Sequence, residues 1–590
     1  MVPTGQEEVL KKALEEYPNL KESEVPSKYA QKLKENYIPD AAEAEDVKAF
    51  ALLAHQRALQ VQLEMARLQK RVAELKMAQR QVKKAKQPYQ ALASAARRFP
   101  KPVLQCIFIH CLSTTRNAVM HCSEAPVLLG RVCSYWRQVA YSTPQLWAKL
   151  HIVPPHIYRD NRTSCERRFL EKRRVVQEWL DRSGDSPLNL SYVWFGDAME
   201  DAIQLNGILL QCLVPYSKRW ADIDIQSPMA LLKPFYELAS EDVPVLRRIS
   251  LMGSRGADWT VDETVLKPEI SDAVSLVGRT AQLRELSLAF NISDSLPLTT
   301  IPWDQLESLY LESNVKFFFP GFEEMATALA QCERLRSLSL KYPINHTDSL
   351  PPFSYAGVPV TLPSLEVLCV DGDQHLKNAF DMAKTFSHFI TPKLQELAVL
   401  GRTPRSDATS WASAQDLLTG ARDLLRASNP PLKRLKFENV LVRTDAFFEC
   451  LALSPSVEEF TLFSHYCGVS LEPMPDSERL DQWTDNDLLR KMTAPSADLL
   501  CPHLRLFDYT FNDVDDEVLR RFVECRTVHR TEGLEKLQVV KATMTGKETK
   551  EIKKWVADIR GQGTELSLLY HSPFVEDRNP SPWTGVTGMV

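Results

Sequence analysis

The sequence predicts an α/β chain in three parts: a long N-terminal helix, a small three-helix unit, and an irregular repeat solenoid. The last would stack into a curved parallel sheet with helices on its convex side. Three observations predict this. Residues 45–86 hold neither Pro nor Gly and space their apolar residues alternately by three and four. Residues 99–147 carry short apolar helical stretches opened by prolines. From Trp220 onward a pattern apolar at its first, fourth and sixth positions recurs along the chain. With 71 Lys+Arg against 76 Asp+Glu and 44% hydrophobic residues over 590, the chain has the composition of a folded protein with no global attraction for polyanions.

Residues 1–44 mix charge with Pro18, Pro26 and Pro39 and offer few large apolar side chains, so a flexible tail is expected. Residues 45–87 form the heptad helix, a coiled-coil candidate. Its seam is Ala58, Val61, Met65, Leu68, Val72, Leu75 and Val82, broken only at Gln79. Such a seam suits a second copy, giving a homodimer through 45–87, or another part of the same chain. Pro88 is expected to end the helix. Between Arg67 and Lys101 the only acidic residue is Glu74 among many bases. Aromatic residues for base stacking are nearly absent there, so a solvated helix face is expected rather than a nuclear address or a nucleic-acid site.

Residues 88–152 form the next block. The run from Phe99 to Leu112 is apolar around nearly its whole circumference, and Ile107, Phe108 and Ile109 cannot all face one core. A second helix is expected over Ala125–Ala140, with Leu128, Leu129, Val132, Cys133, Trp136 and Val139 on its apolar side. A third turn, Thr143–Trp147, runs into Leu150 and Ile152. A unit of about fifty residues cannot cover this much apolar surface by itself. It needs either a foreign subunit or the rest of its own chain.

The order Arg97-Arg98-Phe99-Pro100, Val103-Leu104, Ile107-Phe108, Cys111-Leu112, then Leu129 through Arg137, then Thr143-Pro144-Gln145-Leu146-Trp147 resembles the F-box. More narrowly, it is similar to the F-box proteins abundant in mushroom-forming fungi, many of which carry a heptad helix just upstream. The resemblance implies a module that docks the Skp adaptor, and through it the cullin, of an SCF ubiquitin ligase, while the remainder selects the protein to be ubiquitinated. Pro100, Val103, Leu104, Ile107 and Phe108 would make the adaptor-facing helix. Leu112, Leu128, Val132 and Trp136 would complete the adaptor-binding set, with Trp147 bracing it. Two departures stand out: Lys101-Pro102 replaces the acidic residue the family places after the Leu-Pro pair, and Ser113–Glu124 is inserted between the first two helices.

Residues 153–571 are assigned to the array. Clear instances of the pattern are Leu246-Ile249-Leu251, Leu283-Leu286-Leu288, Leu306-Leu309-Leu311, Leu335-Leu338-Leu340, Leu365-Leu368-Val370 and Leu394-Leu397-Val399. Looser ones are Trp220-Ile223-Ile225, Leu432-Leu435-Phe437, Val457-Phe460-Leu462, Leu504-Phe507-Tyr509 and Leu534-Leu537-Val539. This resembles an irregular leucine-rich repeat. Positions four and six lie two apart, so a strand turns both to one side, and position one enters the core from the preceding loop. Helical returns are expected over Gly321–Ala330, Ala414–Arg426, Asp485–Met492 and Asp516–Cys525. A helix over Lys547–Ile559 and a last strand over Glu565–Tyr570 follow, then a disordered tail over 572–590. The residue between positions four and six points to the concave face, the expected substrate-binding surface: Ser250, Ser287, Tyr310, Ser339, Cys369, Ala398 and Lys436, continuing through Thr461, Asp508 and Gln538.

No phosphate-cradling, dinucleotide, zinc-protease or hydrolase-elbow motif occurs. Cys106 and His110 have the i,i+4 helical spacing a zinc site could use, but the apolar character of the helix holding Cys106, His110 and Cys111 has a packing explanation, and adjacent His121-Cys122 is poor ligand spacing. No catalytic residue, metal or cofactor is therefore expected. The first residues lack a secretory signal, no stretch reaches the ~18 apolar residues of a membrane span, and the twelve cysteines are scattered. A cytoplasmic or nuclear protein is expected. The expected function is substrate recognition for an SCF ligase. The alternative is a non-catalytic repeat scaffold that dimerises through the heptad helix without joining a ligase.

Overall fold

The computed structural model describes residues 32, 37–157, 162–194, 200–228, 231–232, 235, 238–254, 280, 282–290, 301–313, 322–341, 358–372, 387–401, 417–438, 445–463, 484–493, 499–511, 514–528, 533–544 and 549–570. Most of the expected N-terminal tail, and the whole of the expected tail over 572–590, lie outside these residues. The chain divides into two compact units, residues 1–100 and 101–590.

The first unit is dominated by α1, Ala41–Ala93. Asp40 caps it, its carboxylate accepting the Glu43 amide at 2.8 Å. Contrary to expectation, the helix runs through Pro88. The proline removes one backbone bond, but Tyr89-Gln-Ala-Leu-Ala93 supplies mostly strong helix formers, which hold the final turn.

In the second unit, α2 is Lys101–His110, α3 Leu129–Val132 and α4 Ser134–Tyr141, followed by a 3-10 turn at Pro144–Trp147. The single helix expected over Ala125–Ala140 is thus two short ones. Cys133 adopts an extended conformation between them and its sulfur accepts the Trp136 amide, so it restarts the helix as a cap.

The elements that follow are β1 (Lys149–Ile152), α5 (Arg162–Arg182), β2 (Leu188–Val193), α6 (Glu200–Gln211), β3 (Trp220–Pro228), β4 (Arg248–Ser254), β5 (Glu285–Phe290), β6 (Ser308–Ser313), α7 (Phe322–Leu329), β7 (Ser337–Lys341), β8 (Val360–Thr361), β9 (Val367–Gly372), β10 (Phe389–Ile390) and β11 (Glu396–Gly401). Then come α8 (Leu417–Ser428), β12 (Arg434–Glu438), α9 (Asp445–Ala452), β13 (Glu459–Phe463), α10 (Asp485–Lys491), β14 (Leu506–Thr510), α11 (Asp516–Thr527), β15 (Val539–Met544), α12 (Lys550–Gly561) and β16 (Glu565–Tyr570). Fourteen strands form one parallel sheet in chain order, while β8 and β10 pair in a separate two-stranded ribbon.

The register explains the repeat. Position four forms a single row across the sheet: Leu150, Leu190, Ile223, Ile249, Leu286, Leu309, Leu338, Leu368, Leu397, Leu435, Phe460, Phe507, Val540 and Leu566. Every member is buried. Each fully buried Leu or Phe is worth ~1.5–3 kcal/mol, but only when the neighbouring strand covers it, so the units stabilise one another in series.

Two strands precede the expected start at Trp220. In the first, Trp147-Leu150-Ile152 obeys the spacing, and all three are buried. In the second, Leu188 pairs with Trp220 but Asn189 pairs with Asp222, a register shift that places its apolar residues at Leu188, Leu190 and Tyr192 and hides the pattern. At the far end the expected triplet Leu534-Leu537-Val539 is out of step. Val540 and Ala542 pair with Phe507 and Tyr509, which makes the unit Leu537-Val540-Ala542.

The returns carry their own end signals. Gly184, at φ +52°, turns the chain after α5, and Asn429, at φ 42°, does so after α8. Thr484 and Asp487 make a reciprocal capping box at the start of α10. Arg526 of α11 is only 3% exposed, and its guanidinium donates to the carbonyls of Met492, Leu500 and Cys501 at 2.8–3.2 Å. Burial pushes its pKa down, while those carbonyls satisfy its N–H groups. Among the described residues no helix is long and apolar enough to cross a membrane.

Candidate interaction site

The helices α2 to α4 are built around residues that face inward. Leu104 and Phe108, one turn apart on α2, are fully buried, and the Phe108 ring lies 4.9 Å from that of Trp136 on α4. Trp147 donates its indole N–H to the Ala140 carbonyl at 2.8 Å and meets Trp179 of α5 edge-on at 4.8 Å. The Arg182 guanidinium covers Tyr141 and Trp147, 4.7 and 5.1 Å from their ring centres. Arg219 in turn donates to Ser183 Oγ at 2.9 Å and to the Gly184 carbonyl, fixing the end of α5.

The outward residues behave differently. Val103 and Ile107, one turn apart on α2, are exposed, Ile107 by 40%. Ile109, Leu128, Val132 and Tyr135 are exposed as well, Val132 by 55%. Leu112 and Trp136 are half-buried and packed on the core. Pro100 is exposed and closes the first unit. The expected adaptor-binding set therefore splits. Leu104 and Phe108 are core residues that no partner reaches in this conformation, whereas Val103, Ile107, Leu128 and Val132 present their side chains to solvent.

The insertion between α2 and α3 has a structural role that its sequence did not announce. Val119 bridges to His151 on the outer edge of β1, and the His151 amide donates to the Ala118 carbonyl at 2.8 Å. Asn117 donates to Ser191 Oγ at 3.0 Å, and His151 Nδ1 lies 2.9 Å from the same hydroxyl. Arg116 pairs with Glu124 across the base of the segment. An open strand edge templates further pairing. Here Ala118 and Val119, both buried, cover it.

On the sheet face opposite the core, register sets Ser250, Ser287, Tyr310, Ser339, Cys369, Ala398, Lys436, Thr461 and Asp508 in one row. Ser250 and Ala398 are buried by their neighbours. Gln538 is not in this row. Lys541 takes the place beside Asp508, as the corrected register of β15 requires. The residues beside this row form cross-strand ion pairs that sequence reasoning did not single out. Arg248 lies 3.3 Å from Asp222 and 3.4 Å from Glu285, Arg434 2.6 Å from Glu396, and Lys341 2.7 Å from Glu312. Alternating charge immediately before position four was the signal for the first three pairs. Burial pushes the Asp222 carboxyl up against the pull of Arg248, and pushes Asp508 up against Lys541 and Lys436.

Cys106 Sγ and His110 Nδ1 are 3.9 Å apart, but the ring nitrogen sits 2.9 Å from the Cys106 carbonyl in the same helix. Among the described residues no three His, Cys, Asp or Glu side chains gather as a metal site. No protein-family model matches the chain, and no curated protein is significantly similar to it.

Proposed function

We propose that the chain is a non-catalytic substrate-recognition subunit of an SCF ubiquitin ligase. The observation that carries the reading is the division within α2: Leu104 and Phe108 anchor the helix, while Val103 and Ile107 on its outer side, with Leu128 and Val132, remain exposed. Exposed apolar side chains on a braced helical unit suit a protein partner of matching apolar character, the Skp adaptor. The polar row from Ser250 to Asp508 is then the surface that holds a target, and the ligase gains rate by effective concentration rather than by a reactive side chain.

A second reading has its own support. Trp147 serves as position one of the first strand and Val119 covers its edge, so the helical unit also works as a cap for the sheet. A scaffold would need no more than that. Co-expression of the full chain with a Skp adaptor separates the two. The ligase reading expects a complex that co-elutes on size exclusion and is lost in Ile107→Asp/Val132→Asp, with far-UV circular dichroism unchanged. A folded chain that never co-elutes with the adaptor supports the scaffold.

A further inference from the structure

The seam of α1 is exposed along its length: Met65, Leu68, Val72, Leu75 and Val82 all stand open, Leu68 by 46%, and only Val61 is half-buried. Extended toward the N-terminus, the same heptad spacing continues through Ala58, Ala54, Ala51 and Val47. The seam is therefore lopsided, small side chains in its first half and large ones in its second. Charge is lopsided too. Eight bases between Arg67 and Lys86 surround the single Glu74, whereas Glu43, Glu45 and Asp46 crowd the start of the helix.

We propose that α1 forms an antiparallel two-stranded coiled coil with a second copy of this chain, Met65 facing Leu68 of the other copy at its centre. This goes beyond the ligase reading and does not rest on it. In a parallel, in-register pair every residue meets itself. Ala51, Ala54 and Ala58 then leave three thin layers, Gln79 is buried against Gln79, and the basic halves lie side by side. The antiparallel register places Ala51 against Val82, Ala58 against Leu75, Val72 against Val61 and Gln79 against Ala54. Each of the three Ala layers thus meets a larger side chain, which close packing favours. Glu64 and Arg71, which flank the seam, face each other across the pair. Screened charge adds little per pair, but it separates two orientations whose apolar area is similar. The C-terminal ends of the two helices, 53 residues long, would lie about 80 Å apart.

The test uses the full chain. Multi-angle light scattering at micromolar concentration should give twice the 67.1 kDa mass, and Leu68→Glu should halve it with the array's thermal unfolding unchanged. Orientation is read by disulfide trapping with Cys467 and the three exposed cysteines among the described residues, Cys106, Cys111 and Cys122, changed to Ser. Differently tagged chains bearing Ala58→Cys and Leu75→Cys should link to each other under mild oxidation, and Leu75→Cys alone should not link to itself. A single-chain mass for the unaltered protein, an undiminished mass for Leu68→Glu, or a Leu75→Cys self-link would overturn the proposal.

Discussion

The helices α1 and α2 are both rich in apolar residues, yet they use them in opposite ways. On α2 the inward pair, Leu104 and Phe108, is sealed against α4, and only the outer pair, Val103 and Ile107, is left open. On α1 no large side chain of the seam is sealed. The difference follows from what each helix is packed with. The short helix draws its stability from the aromatic brace of Trp136, Trp147 and Trp179, since ten residues alone would not stay helical. The long one has length, good helix formers and a cap, and its apolar stripe stays exposed.

Breaking the inward pair should have the largest effect. Phe108→Ala removes a fully buried ring and is expected to cost about 3–5 kcal/mol in urea unfolding. Ile107→Ala on the outer side should stay within about 0.5–1 kcal/mol, because its side chain is already half in water. Next comes Leu338→Ala in the middle of the sheet, at about 2–5 kcal/mol, while Leu68→Ala on α1 leaves the array's transition where it was. The register of β15 gives a sharper contrast between adjacent residues. Val540→Asp puts a carboxylate into the core and should unfold the C-terminal strands, whereas Val539→Asp should cost under about 1 kcal/mol; limited proteolysis compares them. The smallest effect concerns pH. Burial raises the Asp508 carboxyl above its unfolded value, so its contribution is most favourable below the unfolded value and becomes a penalty as pH rises through the folded one. Asp508→Asn should therefore raise the urea midpoint at neutral pH, with the gain fading as the medium is acidified through the carboxylate range.

Much of the sheet was legible because its geometry is written at fixed spacing. Leu309 and Leu311 must turn together, and Leu306 must enter from the loop, wherever a strand follows a strand. Where the backbone departs from that geometry, the signal fails. The register shift at Leu188 conceals β2, and the doublet Val539-Val540 permits two registers that only Phe507 on the neighbouring strand decides. The candidate docking surface was legible as an apolar excess, but not as a division between inner and outer side chains. That division depends on Trp136, Trp147 and Trp179 converging from three elements. The edge cover at Asn117–Val119 left no trace in periodicity at all, because a single bridge and two side-chain hydrogen bonds need no repeat.

Hydroxyl-radical footprinting of the full chain, free and mixed with a Skp adaptor, tests the central claim most directly. The expected result is oxidation of Val103, Ile107, Leu128 and Val132 in the free chain, their protection by the adaptor, and silence at Leu104 and Phe108 in both. Equal labelling of the four outer residues with and without saturating adaptor would contradict it.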